Sequence, residues 1–235
     1  KRNFKIQISN LSKKYGETVV FSDLNYTFEN ACIYGLVGRN GAGKTTLLNI
    51  LSNYDKNYTG VISIDGEKMN KVDYLDMPVA YAMDQPSFFN ELTIYENLLL
   101  IASSRKIKKQ EAFDKIERIL DGLGLKKYEN YSPLELSKGT MQRLNNACAM
   151  IQEEKITIFD EPFSGLDPVQ MKLLENVIVE FHKKEKGIYI ISSHDIECLQ
   201  NVCDKCLLLH NGQIREINTE EVDREKIAKI LSEGE

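Results

Sequence analysis

Apolar positions along this chain recur first with period two, then at helical spacing, then with period two again. Phe4, Ile6 and Ile8 alternate with polar residues, the pattern of a half-buried strand. Tyr15-Gly16 closes that segment, and residues 19–21 and 24–28 read as two further strands. Cys32-Ile33-Tyr34-Gly35-Leu36-Val37 is a continuous apolar run, a buried strand. Behind it Leu47, Leu48, Ile50 and Leu51 fall on one face of a helix. Val61, Ile62 and Ile64 form a short strand that ends in the turn signal Asp65-Gly66, and residues 79–83 form another, broken at Gln85-Pro86.

From about residue 92 to residue 153 the pattern is helical. Ala112, Phe113, Ile116, Ile119, Leu120 and Leu123 make an amphipathic helix that Gly122 and Gly124 stop. Ser137 is placed as the N-cap of the next helix, which carries Met141, Leu144, Cys148 and Ile151 on one side. Strand character returns at Ile156, Ile158 and Phe159. A helix from Pro168 buries Leu173, Leu174, Val177, Ile178 and Phe181, and residues 188–191 read as a buried parallel strand ending at Ser192-Ser193-His194. Asn211-Gly212 joins two short strands into a hairpin, and residues 219–231 read as a charged helix. The order predicts one α/β domain over residues 1–235. A helical subdomain, about 86–153, is inserted in its α/β core, and a helical tail covers 219–235.

The chemistry lies at the end of the run 32–37. Gly38-Arg39-Asn40-Gly41-Ala42-Gly43-Lys44-Thr45 fits G-x-x-x-x-G-K-[ST], the P-loop, with the strand before and the helix after that the motif requires. Gly38, Gly41 and Gly43 let backbone N–H groups turn toward phosphate oxygens, and the helix adds its positive end. Lys44 is assigned to the β- and γ-phosphates and the Thr45 hydroxyl to Mg²⁺; Asn40 and Thr46 are counted with them as nucleotide contacts. The run Ile156-Thr157-Ile158-Phe159 delivers Asp160-Glu161. Asp160 is expected in the Mg²⁺ shell, and Glu161 as the acceptor of a proton from attacking water.

Composition narrows the partners. Hydrophobic residues are 42% and charged residues 28%, the balance of a globular protein with a full core. The net charge of −5 and the lack of a basic stripe argue against nucleic acid. No apolar run is long enough to span a bilayer, and no leader pattern is read. The five cysteines are odd in number and scattered, which suits reduced thiols in the cytoplasm. Cys203 and Cys206 form a lone C-x-x-C, read as ordinary buried thiols. His182 and His210 are read as surface residues, and Lys106, Lys108 and Lys109 as a solvated helix start. Asn70-Lys71-Val72-Asp73 matches the guanine-reading N-K-x-D, but it follows the P-loop too soon and has no apolar strand before it. The match is read as chance.

Over almost its full length the chain resembles the ATP-binding subunit of ABC transporters. Leu136-Ser137-Lys138-Gly139-Thr140-Met141-Gln142-Arg143 is similar to the family's signature motif, and Ser164-Gly165-Leu166-Asp167 to its D-loop. His194 resembles the switch histidine, Gln85 the Q-loop glutamine, and Tyr15 the aromatic residue that stacks on adenine. The resemblance implies a P-loop core with a mixed sheet, an antiparallel β subdomain and an inserted helical subdomain. It implies a head-to-tail pair in which Ser137 and Gly139 contact an ATP on the opposite subunit and Asp167 ties the two sites together. His194 would hold the γ-phosphate, and Gln85 would link Mg²⁺ to the helical subdomain. The signature departs from the family pattern at Lys138, usually Gly, and at Thr140, usually Gln. Lys138 is similar to a variant of single-domain exporter ATPases.

The implied partners are a separate transmembrane permease and a second copy of this chain or a paralogous ATPase subunit. The implied location is cytoplasmic, peripheral on the inner face of the membrane. The rival reading is a soluble ATPase of the iron–sulfur assembly type, which shares the same motifs. Two readings stay open for Phe88 and Phe89: a groove that docks the membrane partner, or core.

Overall fold

The computed structural model describes residues 4–72 and 76–217. The tail expected at 219–235, and Asp73 of the N-K-x-D match, lie outside the described residues.

Two sheets carry the fold. One is antiparallel, in the order β2-β1-β4-β5, built from β1 (Lys5–Tyr15), β2 (Thr18–Glu29), β4 (Thr59–Ile64) and β5 (Glu67–Lys68). Thr18–Glu29 is one strand where the pattern suggests two. Asp23 sits at φ 51°, and the register against β1 slips where the two strands bulge, so the apolar alternation breaks while the pairing continues.

The second sheet is mixed, in the order β10-β9-β3-β8-β7-β6. Its strands are β3 (Cys32–Val37), β6 (Val79–Ala82), β7 (Ile156–Phe159), β8 (Ile188–Ser193), β9 (Lys205–His210) and β10 (Gln213–Ile217). β10 alone is antiparallel, closing the β9–β10 hairpin through Asn211 and Gly212, both at positive φ. Every residue of β3, β7 and β8 is buried, because both sheet faces are covered.

Side chains alternate between two cores. Tyr34, Leu36, Ile156, Ile158, Ile188 and Ile190 point toward the antiparallel sheet's Ile6, Leu11 and Phe28, and helix α1 (Lys44–Leu51) adds Leu47, Leu48, Ile50 and Leu51. Ile33, Val37, Phe159, Tyr189 and Ile191 join the other core. It gathers α2 (Ile94–Ser104), α3 (Lys109–Gly122), α4 (Lys138–Met150) and α5 (Pro168–Glu185). Ser137 caps α4, accepting the Thr140 N–H, and Asp167 caps α5 with Pro168 in the first turn. A short helix α6 (Ile196–Gln200) follows β8.

His182 is buried, contrary to its reading as a surface residue. It closes the turn of α5 into β8: its Nε2 lies 3.1 Å from the Gly187 carbonyl and its ring packs edge-on to Tyr189. His210 is half-buried at the end of β9. Lys106, Lys108 and Lys109 are exposed at the start of α3. Cys206 is core, and the Cys203 Sγ lies against Gly35, where burial pushes its thiol far up. Phe88 packs on the helical core, while Phe89 is 59% exposed.

Candidate active site

The loop after β3 wraps around the start of α1. Gly43 takes φ 97°, and a Cβ there would stand 2.7 Å from Val20 Cγ1. Gly38 is required for a different reason: its φ is ordinary, but a Cβ would meet the Leu209 carbonyl of β9 at 2.9 Å. Only bare backbone passes at either point.

Lys44 is 7% exposed. Its Nζ donates to the carbonyls of Gly38 at 2.8 Å and Arg39 at 3.3 Å, and lies 3.5 Å from Glu161 Oε1. One cleft of about 540 Å³ is lined by Tyr15, Arg39, Asn40, Gly41, Gly43, Lys44, Thr45 and Thr46 from the first third of the chain, and by Asp84, Glu161, Ser164 and His194 from the rest. That volume is in the range of a small-ligand site.

The acidic end of β7 is built in detail. Asp160 is 1% exposed. Burial raises its carboxyl above the usual value; hydrogen bonds from Ser192 and Thr45 oppose this, and the charges of Asp84 and Glu161 add to it. Ser192 Oγ–H donates to Asp160 Oδ1 at 2.6 Å and accepts the Glu161 N–H at 2.9 Å. Glu161 itself sits at φ 49°, a region a non-glycine residue seldom adopts. Its other oxygen, Oε2, is 2.9 Å from His194 Nδ1. The hydroxyl of Thr45 and the carboxylate of Asp160 are hard oxygens of the kind Mg²⁺ takes, and they meet beside the phosphate loop. The donor set therefore fits the cation.

Tyr15 stands on the cleft wall, 52% exposed. Its hydroxyl donates to Asp55 at 3.2 Å, and Lys13 Nζ lies 4.5 Å over its ring. Gly38 lies behind the wall, buried.

Gln85 is not on the wall. It is exposed one step further along the bend after β6, and its neighbour Asp84 lines the cleft instead. Ser137, Gly139 and Asp167 are also outside this cleft, at the capped starts of α4 and α5. Those two starts touch: a Cβ at Gly139 would come within 3.0 Å of the Gly165 carbonyl, and the Lys138 stem runs beside Gly165. Thr140, the departure at the fifth signature position, is buried at 3% exposure. Its hydroxyl pairs with Ser137 Oγ at 2.9 Å and accepts from Arg143 at 3.2 Å.

Sequence patterns missed one further group. Gln142, Asn145 and Asn146 sit on one face of α4 and donate to the carbonyls of Glu161, Met83 and Pro162 at 3.3, 2.7 and 3.2 Å. They clamp both acidic strand ends to the helix. Their spacing of three and four on a helix was the available signal; the apolar residues beside them masked it.

A family model described as ABC transporter matches residues 21–164. The chain is 30% identical over 211 residues to the tungstate uptake system ATP-binding protein of Peptoclostridium acidaminophilum, covering 90% of this chain and 97% of that one. It is 31% identical over 221 residues to the bacitracin transport ATP-binding protein of Enterococcus faecalis, covering 93% and 71%. A solved ATP-binding subunit of an ABC transporter superposes with a TM-score of 0.82 at 27% identity, covering 97% of this chain and 95% of that one.

Proposed function

The chain belongs to the ABC transporter family, and from that premise we propose that it is the ATP-hydrolysing subunit of a transporter, working on a separate membrane permease. The observation that carries this reading is the meeting of Lys44, Thr45, Glu161 and His194 in one cleft, although they come from separate parts of the chain.

In this reading the P-loop amides and Lys44 hold the β- and γ-phosphates, and Tyr15 takes the adenine on its exposed face. Asn40, Gly41, Gly43 and Thr46 complete the phosphate cradle, with Gly38 shaping it from behind. Thr45 and Asp160 hold Mg²⁺, which neutralises charge on the phosphate oxygens. Glu161 accepts the proton of the attacking water, oriented by His194 at one oxygen and by Ser192 at its backbone. The work of these groups is placement and charge stabilisation.

Ser137, Gly139 and Asp167 lie outside the cleft, which suits a role toward the nucleotide of a second chain, either another copy or a paralogous subunit. The exposed start of α4 would then direct its positive end at that phosphate. ATP closes the pair, hydrolysis and release reopen it, and the permease follows. Among the described residues no helix is long and apolar enough to cross a membrane. On the family membership, we assign the membrane-spanning part to a separate permease and the location to the cytoplasmic face. We take the direction as export, on Lys138 in the signature; the tungstate relative, an uptake system by its name, weighs against it. The helices between β6 and β7 are read as the inserted subdomain of a single ATPase domain.

The test is purification of the Glu161→Gln protein from its own cells in mild detergent with ATP and Mg²⁺. A polytopic membrane protein in stoichiometric amount is the expected companion. Soluble partners alone, independent of detergent, would replace this reading with the assembly-scaffold one.

A further inference from the structure

The cleft holds a carboxylate that the reading above leaves without a task. Asp84 lines it beside Thr45, Glu161 and His194. Its position follows from register. β6 runs parallel to β7 with Ala82 opposite Phe159, so two residues further on Asp84 and Glu161 leave the sheet at the same level. The backbone there is fixed: Asn145 of α4 holds the Met83 carbonyl at 2.7 Å, and the Ala82 carbonyl takes the Asp160 N–H at 2.9 Å. The cationic Lys44 is engaged by the Gly38 and Arg39 carbonyls and by Glu161.

A carboxylate facing a polyphosphate is repelled unless a cation stands between them. Mg²⁺ in phosphate sites takes one or two carboxylates besides the phosphate oxygens and water. Asp160 is one such carboxylate, buried and hydrogen-bonded by Ser192 and Thr45. We propose that Asp84 is the second carboxylate of the divalent-cation shell at the nucleotide's phosphates, taking the place assigned to Gln85. This inference rests on the cleft being an ATP site. It makes nucleotide binding more dependent on metal than one carboxylate would: with the cation present Asp84 attracts the complex, and without it Asp84 repels the phosphates.

The test is binding rather than turnover. Mn²⁺ is titrated into protein saturated with the β,γ-imido analogue of ATP, and bound Mn²⁺ is read by electron paramagnetic resonance. The affinity for the metal-free analogue is measured in EDTA. Asp84→Asn is expected to weaken Mn²⁺ about tenfold, the lower end of what loss of a supporting metal-site group costs. Metal-free affinity should hold or tighten, and Asp84→Glu should restore part of the Mn²⁺ affinity. The side chain is exposed, so the variants are expected to fold, which an unchanged melting curve verifies.

Unchanged Mn²⁺ affinity in Asp84→Asn, with normal binding by the natural protein, overturns this inference and leaves the ATP site standing. Tighter nucleotide binding both with and without Mn²⁺ also overturns it, since Asp84 would then only repel phosphate. Loss of Mn²⁺ in Gln85→Ala with Asp84→Asn silent returns the role to Gln85. A natural protein that binds neither analogue nor Mn²⁺ removes the ATP site and this inference together.

Discussion

Glu161 Oε2 lies 2.9 Å from His194 Nδ1, while the other oxygen of the same carboxylate faces Lys44 Nζ at 3.5 Å. A carboxylate fixed at both oxygens, on a backbone at φ 49°, presents its lone pairs in one direction. Glu161→Gln keeps the size and the hydrogen-bonding reach but removes the base. It is expected to bind ATP and to turn over at least ~100-fold more slowly. His194→Ala, which frees one oxygen, should also slow turnover while ATP binding persists. Steady-state phosphate release and nucleotide titration check both; natural turnover in Glu161→Gln would take Glu161 out of the role of base.

Lys44→Ala removes the buried ammonium that the Gly38 and Arg39 carbonyls hold in the loop. The charge-assisted contacts to two phosphates go with it. ATP affinity is expected to fall by about 100-fold or more, two such contacts at roughly 1.5–3 kcal/mol each. Fluorescent-nucleotide titration reads this, and an undiminished affinity would contradict the P-loop assignment.

Thr140 is buried between Ser137 and Arg143, so the departure at this signature position is also a structural bond. Thr140→Val keeps the shape and deletes the hydroxyl. Stability should fall by about 1–2 kcal/mol, the cost of leaving a buried donor without its acceptor. Urea unfolding measures it. A gain in stability would mean that Arg143 finds full compensation at the Leu123 and Gly124 carbonyls it already bonds.

Asp55 pairs with the buried Lys13 at 2.7 Å and accepts the Tyr15 hydroxyl. Partial burial pushes its carboxyl up. The Lys13 hydrogen bond and charge, the Asn57 N–H and the Tyr15 hydroxyl outweigh that and leave it below the ordinary value. A lowered folded-state pKa means that the stabilisation is present above the unfolded value near ~4 and is lost as pH falls through the lower folded value. Asp55→Asn should therefore destabilise by about 1–3 kcal/mol at pH 7, and the difference from the natural protein should shrink as pH falls below the unfolded value near ~4. Melting curves across pH test this; a constant difference down to the acid limit would separate the effect from the Asp55 charge.

Contiguous features of this chain were legible as text. The P-loop spells its chemistry in eight successive residues, the Ser137 cap is local, and the Asn211-Gly212 turn carries its own positive-φ preference. The α/β class also follows, because period-two and helical patterns report which face of an element is buried; the antiparallel sheet was implied only by the family resemblance. Period does not report which element does the burying. Sheet order places β8 between β3 and β7, and only that crossover brings Ser192 against both Asp160 and Glu161, about thirty residues away in the chain. Packing also buried His182 under the α5–β8 turn, and pairing with β1 ran 18–29 as one strand. The tertiary structure also set Asp84 on the cleft wall and not its neighbour Gln85, the residue the motif reading singled out. Strand register against β7 and the hold of Asn145 on Met83 put one into the cleft and the other into solvent, and neither constraint is written near residue 84.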